Sequence, residues 1–328
     1  MIVRLVGVAA VVVVLVAATG AVLAFRRPTP GEPVPVVIEQ GASTAAIAQR
    51  LADLDVISSS LGFRLMARIR GLDGSIRAGS YELRRGMGVH AALDRLSEGS
   101  VDPSVAVTIP EGFTVQQVVA KLADASHLSR EALAAGSAGV RGPFQPDGID
   151  NVEGFLFPDT YRVADDDEPE AVLQQMVDVF SSRTATLSWV YPEARGLSRY
   201  DALIIASLIE REAKVDEDRR KVSAVIYNRL ERGMRLQIDI TALYGTDHKV
   251  PTRRDLERRS PYNTYIIDGL PPTPIANPGL ASIEAALDPE PIDALYYVVV
   301  DPSGKHAFTA DYDEFQRLLS RRPAEVRG

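Results

Sequence analysis

The chain has 328 residues, enough for two domains and a small third. A net charge of −8, with no basic stripe carrying interleaved aromatics, argues against a nucleic-acid binder. With no cysteine, neither a disulfide framework nor a thiolate metal site can form; the four histidines (His90, His127, His248, His306) never fall at helical ligand spacing, so no metal or other cofactor is expected.

Residues 5–25 are almost wholly apolar and carry no charge. As a helix rising about 1.5 Å per residue they would span roughly 30 Å, one hydrocarbon core. A single membrane anchor is expected; the alternative is a cleaved signal peptide, with Val22-Leu23-Ala24 offering small residues to a peptidase. Arg4 lies on one flank and Arg26 and Arg27 on the other, so charge does not fix orientation. Residues 26–35 are proline-rich and read as an extended spacer.

An internal repeat follows. Val37 to Ser58 matches Thr108 to Ser129, with Ile38 aligned to Ile109, Gly41 to Gly112 and Leu51-Ala52-Asp53 to Leu122-Ala123-Asp124. Each copy reads as strand, glycine turn and amphipathic helix. Between them, Gly79 to Gly99 reads as a short strand and a helix carrying Val89, Leu93 and Leu96. Such small strand–helix units suit carbohydrate binding, or serve only as a spacer with a core. Ala134 to Gly148 is rich in glycine, alanine and proline and reads as a loop. Glu153 to Tyr161 gathers aromatics around a Pro-Asp turn, which suggests a segment pinned to the larger domain, and a helix is expected over about 170–182.

Ser198 to Gly233 reads as two consecutive helices. Ser198 and Asp201 have the spacing of a capping box. Ile205, Leu208, Ile209 and Glu212 then share one face at about 100° per residue, while Glu210 points roughly the opposite way. A carboxyl pressed on apolar surface loses hydration, holds its proton near neutral pH and can act as a general acid. The alternative is a surface glutamate at a helix end. In the second helix Val222, Val225, Ile226 and Arg229 repeat the pattern; a buried Arg229, flanked by Asn228, calls for an anionic partner in the fold or in a substrate.

Leu236 to Thr241 alternates strictly and is predicted as a strand with Gln237, Asp239 and Thr241 on its polar edge. Ser260 to Gly279, dense in proline, glycine and asparagine, reads as a shaped binding loop. Leu295 to Val300 and Lys305 to Thr309 are predicted to pair as a hairpin across Asp301-Pro302-Ser303-Gly304.

These pieces together resemble the YceG-like family of endolytic murein transglycosylases. The resemblance rests on Glu153-Gly154 with Phe157-Pro158-Asp159-Thr160, Ala206 to Glu212, Val225 to Leu230, Gly233 to Gln237 with Asp239, Tyr262-Asn263-Thr264-Tyr265, Gly269-Leu270-Pro271-Pro272, Ile275-Ala276 with Pro278-Gly279, and His306 with Phe308. One departure is Ile240, where the family usually has proline. The resemblance implies an α+β protein: residues 1–27 a cytoplasmic tip and transmembrane anchor, 28–35 a linker, 36–104 a LysM-like module, and 105–328 a mixed α+β catalytic domain. It implies a single-pass inner-membrane protein with its body outside the cytoplasm, acting on peptidoglycan glycan strands beside synthases of the penicillin-binding class. It also implies non-hydrolytic cleavage of the MurNAc–GlcNAc bond to a 1,6-anhydro end, with Glu212 as the catalytic acid. Gln237, Asp239, Asn263 and Thr264 are the candidates for holding the sugar, and Asn228 and Arg229 for supporting the site. Two rivals stand beside this expectation: a muramidase using Glu212 and Asp239, and a non-catalytic scaffold that binds glycan.

Overall fold

The structure, a computed structural model, describes residues 31–39, 41–99, 104–164, 166–246 and 250–321. The expected anchor at 5–25, the first residues of the linker and His248 lie outside them. Among the described residues no helix is long and apolar enough to cross a membrane. The fold is mixed α+β with small antiparallel sheets of two strands each, and the chain divides into two compact units between residues 103 and 104.

The first unit runs β1 (Pro33–Ile38), α1 (Thr44–Asp53), α2 (Ser60–Ile69), β2 (Gly79–Arg84) and α3 (Gly88–Glu98). The last residues of the expected linker are therefore strand. Val34, Val36 and Ile38 alternate inward while Pro33 and Pro35 take the outward positions, so the apolar period of two overrides the proline signal. β1 pairs with β2, Val36 opposite Tyr81, over a core of Leu51, Phe63, Leu83 and Leu93.

The second unit runs β3 (Val105–Thr108), α4 (Val115–Ala125), α5 (Arg130–Gly139), β4 (Thr160–Val163), α6 (Pro169–Thr184), α7 (Val190–Glu193), α8 (Arg199–Glu212), α9 (Asp216–Glu231), α10 (Asp239–Leu243), α11 (Arg253–Glu257), α12 (Leu280–Leu287), β5 (Tyr296–Val299), β6 (His306–Thr309) and α13 (Tyr312–Ser320). The two copies of the repeat fall in different units. In each a glycine with positive φ, Gly41 at 80° and Gly112 at 75°, turns the chain from strand to helix, and Ser43 or Thr114 caps the helix that follows. The loop expected at 134–148 begins as helix. Gly136 and Gly139 lie where a Cβ would come within 3.2 Å and 3.0 Å of Glu170, so these glycines allow close packing on α6 and do not break α5.

α8 is the axis of this unit. Ser198 and Asp201 form the expected capping box. Every residue from Ala202 to Ile209 is buried, and α9 and α12 pack on it. The Tyr227 hydroxyl ties α9 to α12 by donating to the Ala286 carbonyl at 2.8 Å. Burial on all sides, each large aliphatic side chain contributing about 1.5–3 kcal/mol, makes α8 a fixed support for whatever its C-terminus presents.

Candidate active site

Glu212 is the last residue of α8, at the point where the helix leaves the core. It is half-buried and lines a groove of about 440 Å³ with Arg229, Gln237, Asp239, Tyr265, Tyr297 and His306. The Tyr297 hydroxyl, from β5, donates to Glu212 Oε2 at 3.0 Å. Loss of hydration pushes the carboxyl up to about 7; the Tyr297 hydrogen bond opposes this, Asp239 adds to it by repulsion, and Arg211 lowers it slightly. Tyr297 is itself held well above the usual phenol value by burial and by Glu212, so it remains a donor.

Apolar phase does not by itself single out Glu212, because the middle of α8 is buried on every face. What separates the two glutamates is what covers them. Glu210 Oε2 accepts from the Gly279 backbone at 3.0 Å and so closes a loop, whereas Glu212 sits under a phenol at an open groove. The surroundings are tyrosines from the C-terminal hairpin rather than the aliphatic contacts implied by the stripe. Tyr296, Tyr312, Phe315 and Leu319 complete the outer wall, and α13, which carries the last three, was not foreseen.

Gln237 and Asp239 do face this groove, but not from a strand. Gln237 has φ +49°, a left-handed backbone that a strand does not accommodate, and α10 begins at Asp239. The turn is fixed from below: the Ile238 N–H donates to Thr264 Oγ1 at 2.9 Å and the Thr241 hydroxyl donates to the Ile238 carbonyl at 2.6 Å. Thr241, expected on a polar edge, is therefore fully buried. The Tyr265 hydroxyl donates to Asp239 Oδ1 and holds that carboxylate at the groove.

Asn263 and Thr264 are corrected. Both are fully buried, with their polar atoms spent inside the fold. Asn263 Nδ2 donates to the carbonyls of Asp255, Leu256 and Arg258 at 2.8–3.2 Å, and its Oδ1 accepts from the Tyr265 N–H. They shape the loop and set Tyr265 and Ile238; neither has a face left for a sugar. The end of the 260–279 loop likewise packs inward, with 273–279 all buried: the Ile275 N–H donates to Ser207 Oγ at 3.1 Å, and Asn277 is fully buried. Only Tyr265 of this loop reaches the Glu212 groove.

Arg229 is buried as expected, but its partners are carbonyls. Nε donates to Leu295 O at 2.7 Å, and Nη1 to Leu236 O at 2.7 Å and Arg235 O at 3.2 Å. Asn228 Nδ2 donates to Ile292 O and Ala294 O, both at 2.9 Å. The pair thus staples the segment before β5, and with it Tyr297, to α9. His306 on β6 packs edge-on to Tyr297 and lies 3.0 Å from the fully buried Asp218; burial pushes its pKa down.

A desolvated acid under a phenol donor, in an open groove walled by tyrosines, is an arrangement that can give up a proton and take one back near neutral pH. The chain belongs to the YceG-like family, which it matches over residues 36–321. It is 34% identical over 305 residues to an endolytic murein transglycosylase of Bacillus subtilis (strain 168), covering 87% of this chain and 83% of that one. A protein of the same name from Streptococcus pneumoniae (strain R6) is 28% identical over 332 residues, 88% of this chain; the match spans 58% of that longer protein. Among solved structures, a yceG-like protein of Listeria monocytogenes superposes with a TM-score of 0.57 at 32% identity, covering 88% of this chain and 99% of its own.

Proposed function

We propose that this protein is a peptidoglycan lytic transglycosylase that cuts the β-1,4 bond between MurNAc and GlcNAc within nascent strands, leaving a 1,6-anhydro-MurNAc end and stopping elongation. The observation that carries the reading is the Glu212 carboxyl, raised to about 7 beneath Tyr297. Relatives named endolytic murein transglycosylase support the choice of substrate and bond.

Glu212 serves as acid and then as base. Because Tyr297 donates to Oε2, the acid's proton resides on Oε1. That proton passes to the glycosidic oxygen as the bond to C1 breaks, and the GlcNAc alcohol leaves. The carboxylate then takes the proton of the C6 hydroxyl of the same MurNAc, whose oxygen closes onto C1. No water is consumed and Glu212 ends protonated, as it began. A pKa near neutrality serves both halves. Gln237 and Asp239 hold the sugar at the groove, and Arg229 and Asn228 keep the hairpin that carries Tyr297 in position.

A second reading draws on Asp239, a further carboxyl in the same groove, which would make the protein a muramidase of the two-carboxylate kind. Mass spectrometry of digested peptidoglycan separates the two. Anhydro-MurNAc ends without ¹⁸O from labelled water are expected; reducing MurNAc ends carrying the label would overturn the transglycosylase reading. The further parts of the proposal are the anchor at 5–25 in the inner membrane, a catalytic unit outside the cytoplasm, a LysM-like glycan-binding role for the first unit, and work beside penicillin-binding synthases.

A further inference from the structure

The Glu212 groove is not the largest cavity of the second unit. A cavity of about 800 Å³ opens beside it, within the size range of ligand sites. The two share a ridge. Glu212 and Asp239 line the groove, while their chain neighbours Arg211 and Ile240 line the cavity. The last turn of α8 and the first of α10 thus present successive residues to different sides.

The floor of the cavity is built around Glu153, which is buried. Its carboxyl accepts from the Tyr244 hydroxyl at 2.9 Å, the Val115 N–H at 2.9 Å and Asn277 Nδ2 at 3.2 Å. One side chain therefore fixes the start of α4, the chain leaving α10 and the loop before α12. Burial pushes this acid up to about 8, so at neutral pH the floor adds no full negative charge. Gln116 and Asn151 supply amides and Thr246 a hydroxyl above it, with Asn151 Oδ1 accepting from the Glu153 N–H at 2.9 Å and Thr246 Oγ1 donating to the Leu243 carbonyl at 2.8 Å, and Ile240, Leu243 and Ile275 supply aliphatic wall. Amide and hydroxyl groups beside small apolar patches match the hydroxyls and acetamido groups of N-acetylated sugars. A peptide stem, by contrast, brings carboxylates; among the described residues the only cation lining the cavity is Arg211, whose Nη1 already donates to the Gly112 carbonyl at 2.9 Å.

We infer that this cavity is a second arm of the saccharide cleft, holding N-acetylated sugars of the same strand beyond the ridge from the bond that is cut. The inference rests on the proposed function, and it gives a physical basis for cutting inside a strand: sugars must be held on both sides of the scissile bond.

Gln116 is exposed in the first turn of α4, where a larger side chain fits without disturbing the core. The test uses the full-length protein, with Gln116→Trp to fill the cavity and Gln116→Ala to remove one amide. kcat/KM is measured on stem-free glycan oligosaccharides, a tetrasaccharide and a dodecasaccharide, with thermal melting as the check on folding. The preference for the long substrate is expected to fall about tenfold in Gln116→Trp, on the order of one to two lost hydrogen bonds, and less in Gln116→Ala. An unchanged preference, an equal loss on both lengths, or a loss seen only with stem-bearing glycan would each overturn the inference. Glu212→Gln is run in parallel. If that variant still cleaves, the catalytic reading itself has failed, and the length preference then reports on binding alone.

Discussion

Glu212 and Glu210 stand two residues apart on one helix, and their coverings set their roles: a backbone N–H for Glu210, a phenol and an open groove for Glu212. The pKa of Glu212 has two measurable consequences. Cleavage requires the protonated acid, so the rate should fall as pH rises through about 7. In Tyr297→Phe the donor to the carboxylate is gone, so this basic limb should move to higher pH; in Asp239→Asn the repulsion is gone, and it should move lower. Rate–pH profiles of the two variants check both signs. Stability follows the same proton. The folded state holds it more tightly than the unfolded chain, so its contribution is full below about 4.5 and is lost as pH rises through about 7. Glu212→Gln lacks this loss and should be more stable than wild type at pH 8, by about 2 kcal/mol after allowing for water in the groove, with the gap closing in acid. Thermal melts across pH measure it. Glu212 could be picked out from the sequence because a helical period and a family motif converge on it. Tyr297 and Tyr265 could not, because their partners lie 85 and 26 residues away along the chain.

Elements whose cues are local were legible in the sequence: α8 with its capping box, α6, and the β5–β6 hairpin over its Asp-Pro-Ser-Gly turn. The failures came where tertiary contacts decide the backbone. Leu236 to Thr241 has the alternation of a strand, yet Thr264 binds the Ile238 N–H and Gln237 turns left-handed. Ser260 to Gly279 has the composition of a binding loop, yet Asn263, Thr264 and Asn277 spend their polar side-chain atoms inside the fold. That second point is testable. Asn263→Ala removes the amide that donates to the carbonyls of Asp255, Leu256 and Arg258, of which, among the described residues, only Asp255 O keeps another donor, the Arg258 N–H, and should destabilise the fold by about 1–3 kcal/mol. Denaturant unfolding measures the loss; a variant as stable as wild type would return Asn263 to the list of sugar-binding candidates.

For the molecule as a whole, the chain carries a first unit with its own core, a catalytic unit built on α8, and ahead of both an apolar stretch at 5–25. If that stretch is the anchor, the full chain should sediment with membranes and resist extraction by salt, while a chain starting at residue 31 should remain in the supernatant. Cell fractionation of both tests this. The internal repeat does not mark the two-unit division, because its copies fall on either side of it. The second cavity was not visible, because Val115, Glu153, Tyr244 and Asn277 come together only in three dimensions. The central claim is that one carboxyl performs both proton transfers, and it is tested most directly by the rate at which Glu212→Gln releases anhydro-MurNAc ends from peptidoglycan, read by mass. A fall of about 10²–10⁴-fold in a variant that melts as a folded protein is the predicted result; release at the wild-type rate would contradict it.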